Sequence, residues 1–276
     1  MRQAQIDTRR RAAPVCASPR RDNAMSPRAI VGARSLVMRI GHAAMVQAYE
    51  VGRMASVAAT VPLNLFRGGS NPGYGAPQGV RATAARPVLL VHGFGGTKSS
   101  WSRIARTLSD RGLTFDAVTY PPFGTSVEQL ADRLAVEVDR MLSQTGADKV
   151  HLVGHSLGGV VIAQALTNCR LTGKVDTVVT LGAPFGGSPW AHALPFGALV
   201  RALREGSPLL RRLASAPAPD GVRWLAFTAA LDMVVPGVRS VPPHPEVETV
   251  TVGGVGHLGM LLSEGIAGRI VAALAA

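Results

Sequence analysis

The hydrophobic positions of this chain follow two different rhythms. Between Ser26 and Pro62, apolar residues Ile30, Ala33, Val37, Ile40, Ala44, Ala48, Val51, Ala55 and Ala58 recur at steps of three and four. That spacing predicts one long amphipathic helix. Ser26 suits the N-cap, Pro27 the first helical position, and Pro62 ends the run. At 1.5 Å per residue the helix is about 50 Å long, with Gly41 and Gly52 as natural break points. Arg34, Arg39, Glu50 and Arg53 interrupt it. No run therefore reaches the roughly 18 apolar residues of a membrane span, and a cleavable secretory signal fits no better.

Beyond residue 86 the rhythm changes to short apolar runs alternating with helical periods. PVLLVHG (87–93) predicts a buried strand, and further strands are predicted over 115–119, 149–154, 176–181, 222–228 and 248–252. Helices are predicted over 99–110, 126–142, 157–168 and 259–274. Alternation of this kind predicts an α/β fold, a mostly parallel sheet of about six strands flanked by helices. The Pro-rich segment 184–221 inserts between two strands and reads as a short cap. The chain then divides into a tail (1–24), the amphipathic helical segment (25–66), a glycine-rich linker (67–85) and the α/β domain (86–276), with Met25 as an alternative start.

In parallel sheets sites form at the carboxyl ends of the strands, and the candidate chemistry falls there. Gly154-His155-Ser156-Leu157-Gly158-Gly159 follows an apolar strand and opens an apolar helix. A nucleophile on such a turn has strained backbone angles, and the flanking glycines leave it room. Ser156 is the candidate nucleophile. A serine hydroxyl needs a general base, and His257, in Gly-Gly-Val-Gly-His-Leu-Gly after the last strand, is placed to supply it. His155 is expected to point away from the site, and His151 to be a core or edge residue. The base needs an acid to fix its tautomer. Asp232 lies beyond strand 222–228, whereas Asp176, Asp220, Glu246 and Glu248 fall at the wrong edge. Charge developing on a carbonyl oxygen needs waiting donors. The amides of Leu157 and of Phe94, in the glycine-rich loop after the first strand, are the candidates, with His92 supporting that loop. The loop lacks G-x-G-x-x-G spacing and a following ribose acid, which argues against a dinucleotide site.

Charge sharpens the picture at one end only. The formal net charge is +12, and residues 1–66 carry +7 of it, from ten arginines against three acids. A basic amphipathic segment suits peripheral contact with anionic membrane; packing on the α/β domain or on another copy is the favoured reading. No zinc spacing, lysine-rich block or basic stripe with aromatics appears, so no nucleic-acid partner is expected. The two cysteines, Cys16 and Cys169, make no disulfide framework; Cys169 is expected to end a buried helix as a small apolar residue. A cytoplasmic or peripherally membrane-associated location is favoured.

Taken in order, HGFGG…W, GHSLGG, GAPFGGS, D-x-x-V-P and G-x-GH-x-G over about residues 86–275 resemble bacterial lipases and esterases of the α/β-hydrolase superfamily, in particular the actinobacterial triacylglycerol-lipase-like branch. The resemblance implies hydrolysis of an apolar acyl ester through an acyl-enzyme, with no metal or organic cofactor. It implies Ser156, Asp232 and His257 as the triad and Phe94 and Leu157 at the oxyanion positions. Phe185 stands where many members carry His, and the N-terminal helix lies outside the shared pattern. Phe185, Trp190 and Phe196 in the cap are the candidate acyl-binding residues. An acyltransferase or thioesterase with the same triad, and a non-catalytic lipid-binding module on this fold, are the alternatives.

Overall fold

The structure, a computed structural model, describes residues 38–49, 52, 86–193 and 197–275. The tail, most of the N-terminal helical segment, the linker, Leu194 and Phe196 lie outside them. Two compact units divide the chain, Met1–Ile40 and Gly41–Ala276. Of the first, only residues 38–40 are described, and everything below concerns the second.

Six strands form one sheet: β1 (Val88–Val91), β2 (Phe115–Val118), β3 (Val150–His155), β4 (Val175–Leu181), β5 (Arg223–Ala229) and β6 (Glu248–Val252). Their order is β2-β1-β3-β4-β5-β6, and every neighbouring pair is parallel. Within the second unit, helix α1 includes residues 41–49. The helices that follow are α2 (Ser102–Asp110), α3 (Val127–Thr145), α4 (Leu157–Thr167), α5 (Trp190–Ala193), α6 (Ala198–Ala202), α7 (Pro208–Ser215), α8 (Gly259–Leu262) and α9 (Glu264–Ala275).

The continuous apolar runs of the strands make sense because both faces of the sheet are covered. Successive side chains alternate between two cores. Leu89, Val91, Leu152 and Val178 pack with α3, α4, α6 and α7. Val88, Leu90, Val153 and Val179 pack with α2, α8 and α9. Helix α3 buries Leu130, Leu134, Val138 and Met141 along one side. It opens with a Ser126–Gln129 capping box and stops at Gly146 in the left-handed region (φ 71°). The cap leucines Leu199, Leu203, Leu209, Leu210 and Leu213 belong to the α3/α4 core.

Three sequence expectations shift. The helix expected at 99–110 begins with a 3-10 turn, Lys98–Trp101. The helix expected at 259–274 is two helices, because Ser263 is extended (ψ 119°) and its Oγ accepts the Ile266 amide, capping α9. Cys169 is exposed with φ 57°, since α4 already ends at Thr167. Among the described residues no helix is long and apolar enough to cross a membrane.

Candidate active site

The strand order reverses direction at β1, whose neighbours are β2 and β3. That reversal opens a crevice at the carboxyl ends of β1 and β3, and the loops after these strands carry Phe94 and Ser156. Ser156 has φ 53° and ψ −123°, and its amide donates to the Leu181 carbonyl at 2.9 Å. A non-glycine residue in that region is strained. The strain is held because no neighbour leaves the turn room to relax. A Cβ on Gly158 would lie 2.0 Å from the Val91 carbonyl oxygen, and one on Gly154 would lie 2.7 Å from the Gly159 nitrogen. The backbone of β1 therefore touches the first turn of α4 directly.

Asp232 and His257 come from loops after β5 and β6. The His257 Nδ1–H donates to Asp232 Oδ2 at 2.7 Å, with both residues buried. The other carboxylate oxygen, Oδ1, accepts the amides of Val234 at 2.9 Å and Val235 at 2.7 Å. Asp232 is thus oriented by its own turn before it meets the histidine. A Cβ on Gly182, the residue after β4, would lie 3.1 Å from both Asp232 Oδ2 and His257 Nδ1. The pair therefore sits beside the carboxyl end of β4, whose last carbonyl holds Ser156.

His155 does not point away from the site. It is buried, its Nε2–H donates to the His257 carbonyl at 3.1 Å, and the two rings are 4.7 Å apart. Burial, reinforced by the charge His257 can carry, holds the His155 pKa well below the usual histidine value. It stays a neutral donor. On its other side, a Cβ on Gly93 would meet His155 Nδ1 at 3.1 Å and the Ser156 Cβ at 3.0 Å. Only a glycine lets the loop after β1 close over the serine.

That loop has its own support. The buried His92 Nδ1–H donates to the Gly93 carbonyl at 2.8 Å, and its ring stacks on Tyr120 at 4.1 Å. The Tyr120 hydroxyl donates to the His92 carbonyl. Burial pushes the His92 pKa down to about 4 and raises that of Tyr120. Sequence reasoning missed Tyr120: the only signal is its place after β2, and nothing in the sequence says that β2 neighbours β1. His155 was misread because side-chain alternation ends at the turn. His151 is buried in β3, with Nδ1 3.6 Å from Asp176 Oδ2.

The other candidate side chains are held by partners of their own. Phe185 is buried edge-on against Trp224 at 5.8 Å, beside a cavity of about 260 Å³ lined also by Ala163, Leu166 and Leu213 and by none of Ser156, Asp232 and His257. Trp190 is at the surface, its Nε1–H donating to the Met233 carbonyl at 3.1 Å, next to Asp232. Phe94 is half-buried and meets Phe123 edge-on at 5.8 Å. Among the described residues no cluster of His, Cys, Asp and Glu has the arrangement of a metal site.

Comparison with known proteins agrees with this architecture. The dihydrolipoyllysine-residue acetyltransferase component of the acetoin cleaving system of Cupriavidus necator is 39% identical over 84 residues, 29% of this chain and 22% of its own length. A triacylglycerol lipase of Pseudarthrobacter phenanthrenivorans is 30% identical over 118 residues, 40% of this chain and 36% of its own. The chain thus matches well under half the length of either relative. Among solved structures, Bacillus licheniformis lipase BlEst2 in its mature form superposes with a TM-score of 0.62 at 18% identity, covering 69% of this chain and 92% of that one. The model of the alpha/beta hydrolase fold family matches residues 86–235. With more than half of its length under that model, and with its six-stranded parallel sheet, the chain belongs to the α/β-hydrolase fold family.

Proposed function

We propose that this protein is a serine hydrolase of carboxylic esters. The observation that carries the reading is the buried His257–Asp232 pair, 2.7 Å apart, at the carboxyl end of β4, whose last carbonyl holds a serine at positive φ on a strand-to-helix turn. Ser156 Oγ attacks the ester carbonyl carbon while His257 Nε2 takes the hydroxyl proton. Asp232 stabilises the imidazolium and keeps the tautomer that leaves Nε2 free to accept. The carbonyl oxygen, now an oxyanion, accepts the amides of Leu157 and Phe94. Collapse re-forms the carbonyl, breaks the bond to the alkoxy oxygen, and returns the proton from His257 to the departing alcohol. Water, deprotonated by His257, then releases the acid and regenerates Ser156.

The named relative among triacylglycerol lipases supports an apolar acyl group. Phe94, edge-on to Phe123, supplies apolar surface on the loop that closes over Ser156. Acyl transfer by the same triad is the second reading, favoured by the acetyltransferase component among the relatives. A fluorophosphonate probe tests the central step: wild type is labelled and Ser156→Ala is not. Equal labelling of both, or none of wild type, rules the reading out. Product analysis of a p-nitrophenyl ester series, with and without added alcohol, separates hydrolysis from transfer.

A further inference from the structure

We infer that helix α1 is a positioning element for the acid–base pair, acting through Gln47 and His42. This rests on the triad reading above. The chain reaches Asp232 and His257 through two separate loops, and α1 hydrogen-bonds both. The Gln47 Nε2–H donates to the Leu231 carbonyl at 2.8 Å, one residue before Asp232. The His42 Nε2–H donates to the Gly254 carbonyl at 3.0 Å, three residues before His257. The two loops are also joined directly, by the Leu231 amide on the Val255 carbonyl at 3.2 Å. Helix and loops therefore form a closed circuit whose corners are Gln47, Leu231, Val255 and His42.

The contact is polar rather than close-packed. A groove of about 260 Å³ separates Met45, Val46 and Tyr49 of α1 from the 254–259 segment. Apolar packing across that gap is incomplete, and the two hydrogen bonds tie α1 to both loops. Gln47 and His42 are five residues apart, about one and a half helical turns, which lets α1 reach both carbonyls. Misplacement of reacting groups by about 1 Å can cost on the order of a hundredfold in rate, and the Asp232–His257 bond spans the same two loops. The α1 segment lies outside residues 86–235, the part matched to the α/β-hydrolase model.

The full chain carrying Gln47→Met, which keeps side-chain length and removes the donor, is compared with Gln47→Lys, which restores one. His42→Phe and His42→Gln form the second pair. The readouts are the fluorophosphonate labelling rate, kcat and KM on p-nitrophenyl butyrate, and Tm. Gln47→Met and His42→Phe are expected to lower kcat and labelling rate about tenfold, with KM within about twofold and Tm little changed. Gln47→Lys and His42→Gln recover most of the loss. Wild-type rates in both donor-less variants overturn the inference. So does a loss that the donor-restoring variants fail to recover, or one that only tracks a fall in Tm. A wild type that takes up no probe removes the triad reading itself, and the inference with it.

Discussion

The turn of the proposed nucleophile and the loops of the proposed acid–base pair hold their side chains by different physics. The turn around Ser156 is one contiguous stretch, and sterics set its position. A Cβ on Gly154, Gly158 or Gly159 would come within 2.7, 2.0 and 2.5 Å of neighbouring atoms. The acid and base sit on loops 25 residues apart, and polar contacts set theirs: His257 on Asp232, His155 on the His257 carbonyl, Leu231 on Val255. Around Gly253, at the start of the base loop, a Cβ would meet nothing within 4 Å. Filling space should therefore damage the turn and spare the loops. Removing hydrogen-bond partners should do the reverse.

The largest effect expected is in the polar half. In Asp232→Asn the side-chain oxygen stays on the amides of Val234 and Val235, and the new NH₂ faces His257 Nδ1. That forces the proton onto Nε2, the wrong tautomer for a base. A fall in kcat/KM of about 10⁴ is expected, about 5.5 kcal/mol, with Tm nearly unchanged. A loss below tenfold would show that the pair does not orient the base. Next comes the steric half. Gly158→Ala presses against the backbone of Val91, which cannot yield without moving β1, and should cost more than about 3 kcal/mol in chemical denaturation.

Acid sensitivity links the two halves, because neutral histidines support both. The His92 pKa falls from 6.5 to about 4 on folding. The unfolded chain therefore binds the proton first as pH drops, and stability present above pH 6.5 is lost down to about pH 4. For His92 this is on the order of 3 kcal/mol. His155 acts in the same direction. Urea titrations of His92→Phe should show a shallower loss between pH 7 and 4.5 than wild type; parallel curves would refute the assignment. Smaller still, His155→Leu removes the donor to the His257 carbonyl. It should lower kcat about tenfold, about 1.4 kcal/mol, with KM held, as read in steady-state kinetics. Smallest of all, Gly253→Ala should change stability by less than about 0.5 kcal/mol. A loss as large as that of Gly158→Ala would erase the contrast between the halves.

The sequence by itself determined whatever depends on short-range periodicity and local sterics. Strand–helix alternation was enough for a parallel α/β sheet, since runs buried on both faces need helices on both sides. The glycines flanking Ser156 announced a strained turn because the requirement lies within five residues. Asp232 and His257 were singled out as candidates by their places at strand ends, and the structure sets them 2.7 Å apart. Only the tertiary structure decided the rest, because it depends on which segments become neighbours. Phe185 turned to Trp224 in the core, and the cap leucines joined the α3/α4 core, where burial removes their apolar surface from water. His155 reached across to the base loop, and Tyr120 settled on His92. Residues 42–47 of α1 found carbonyls in two loops more than 180 positions away, partners that no periodicity along the chain encodes.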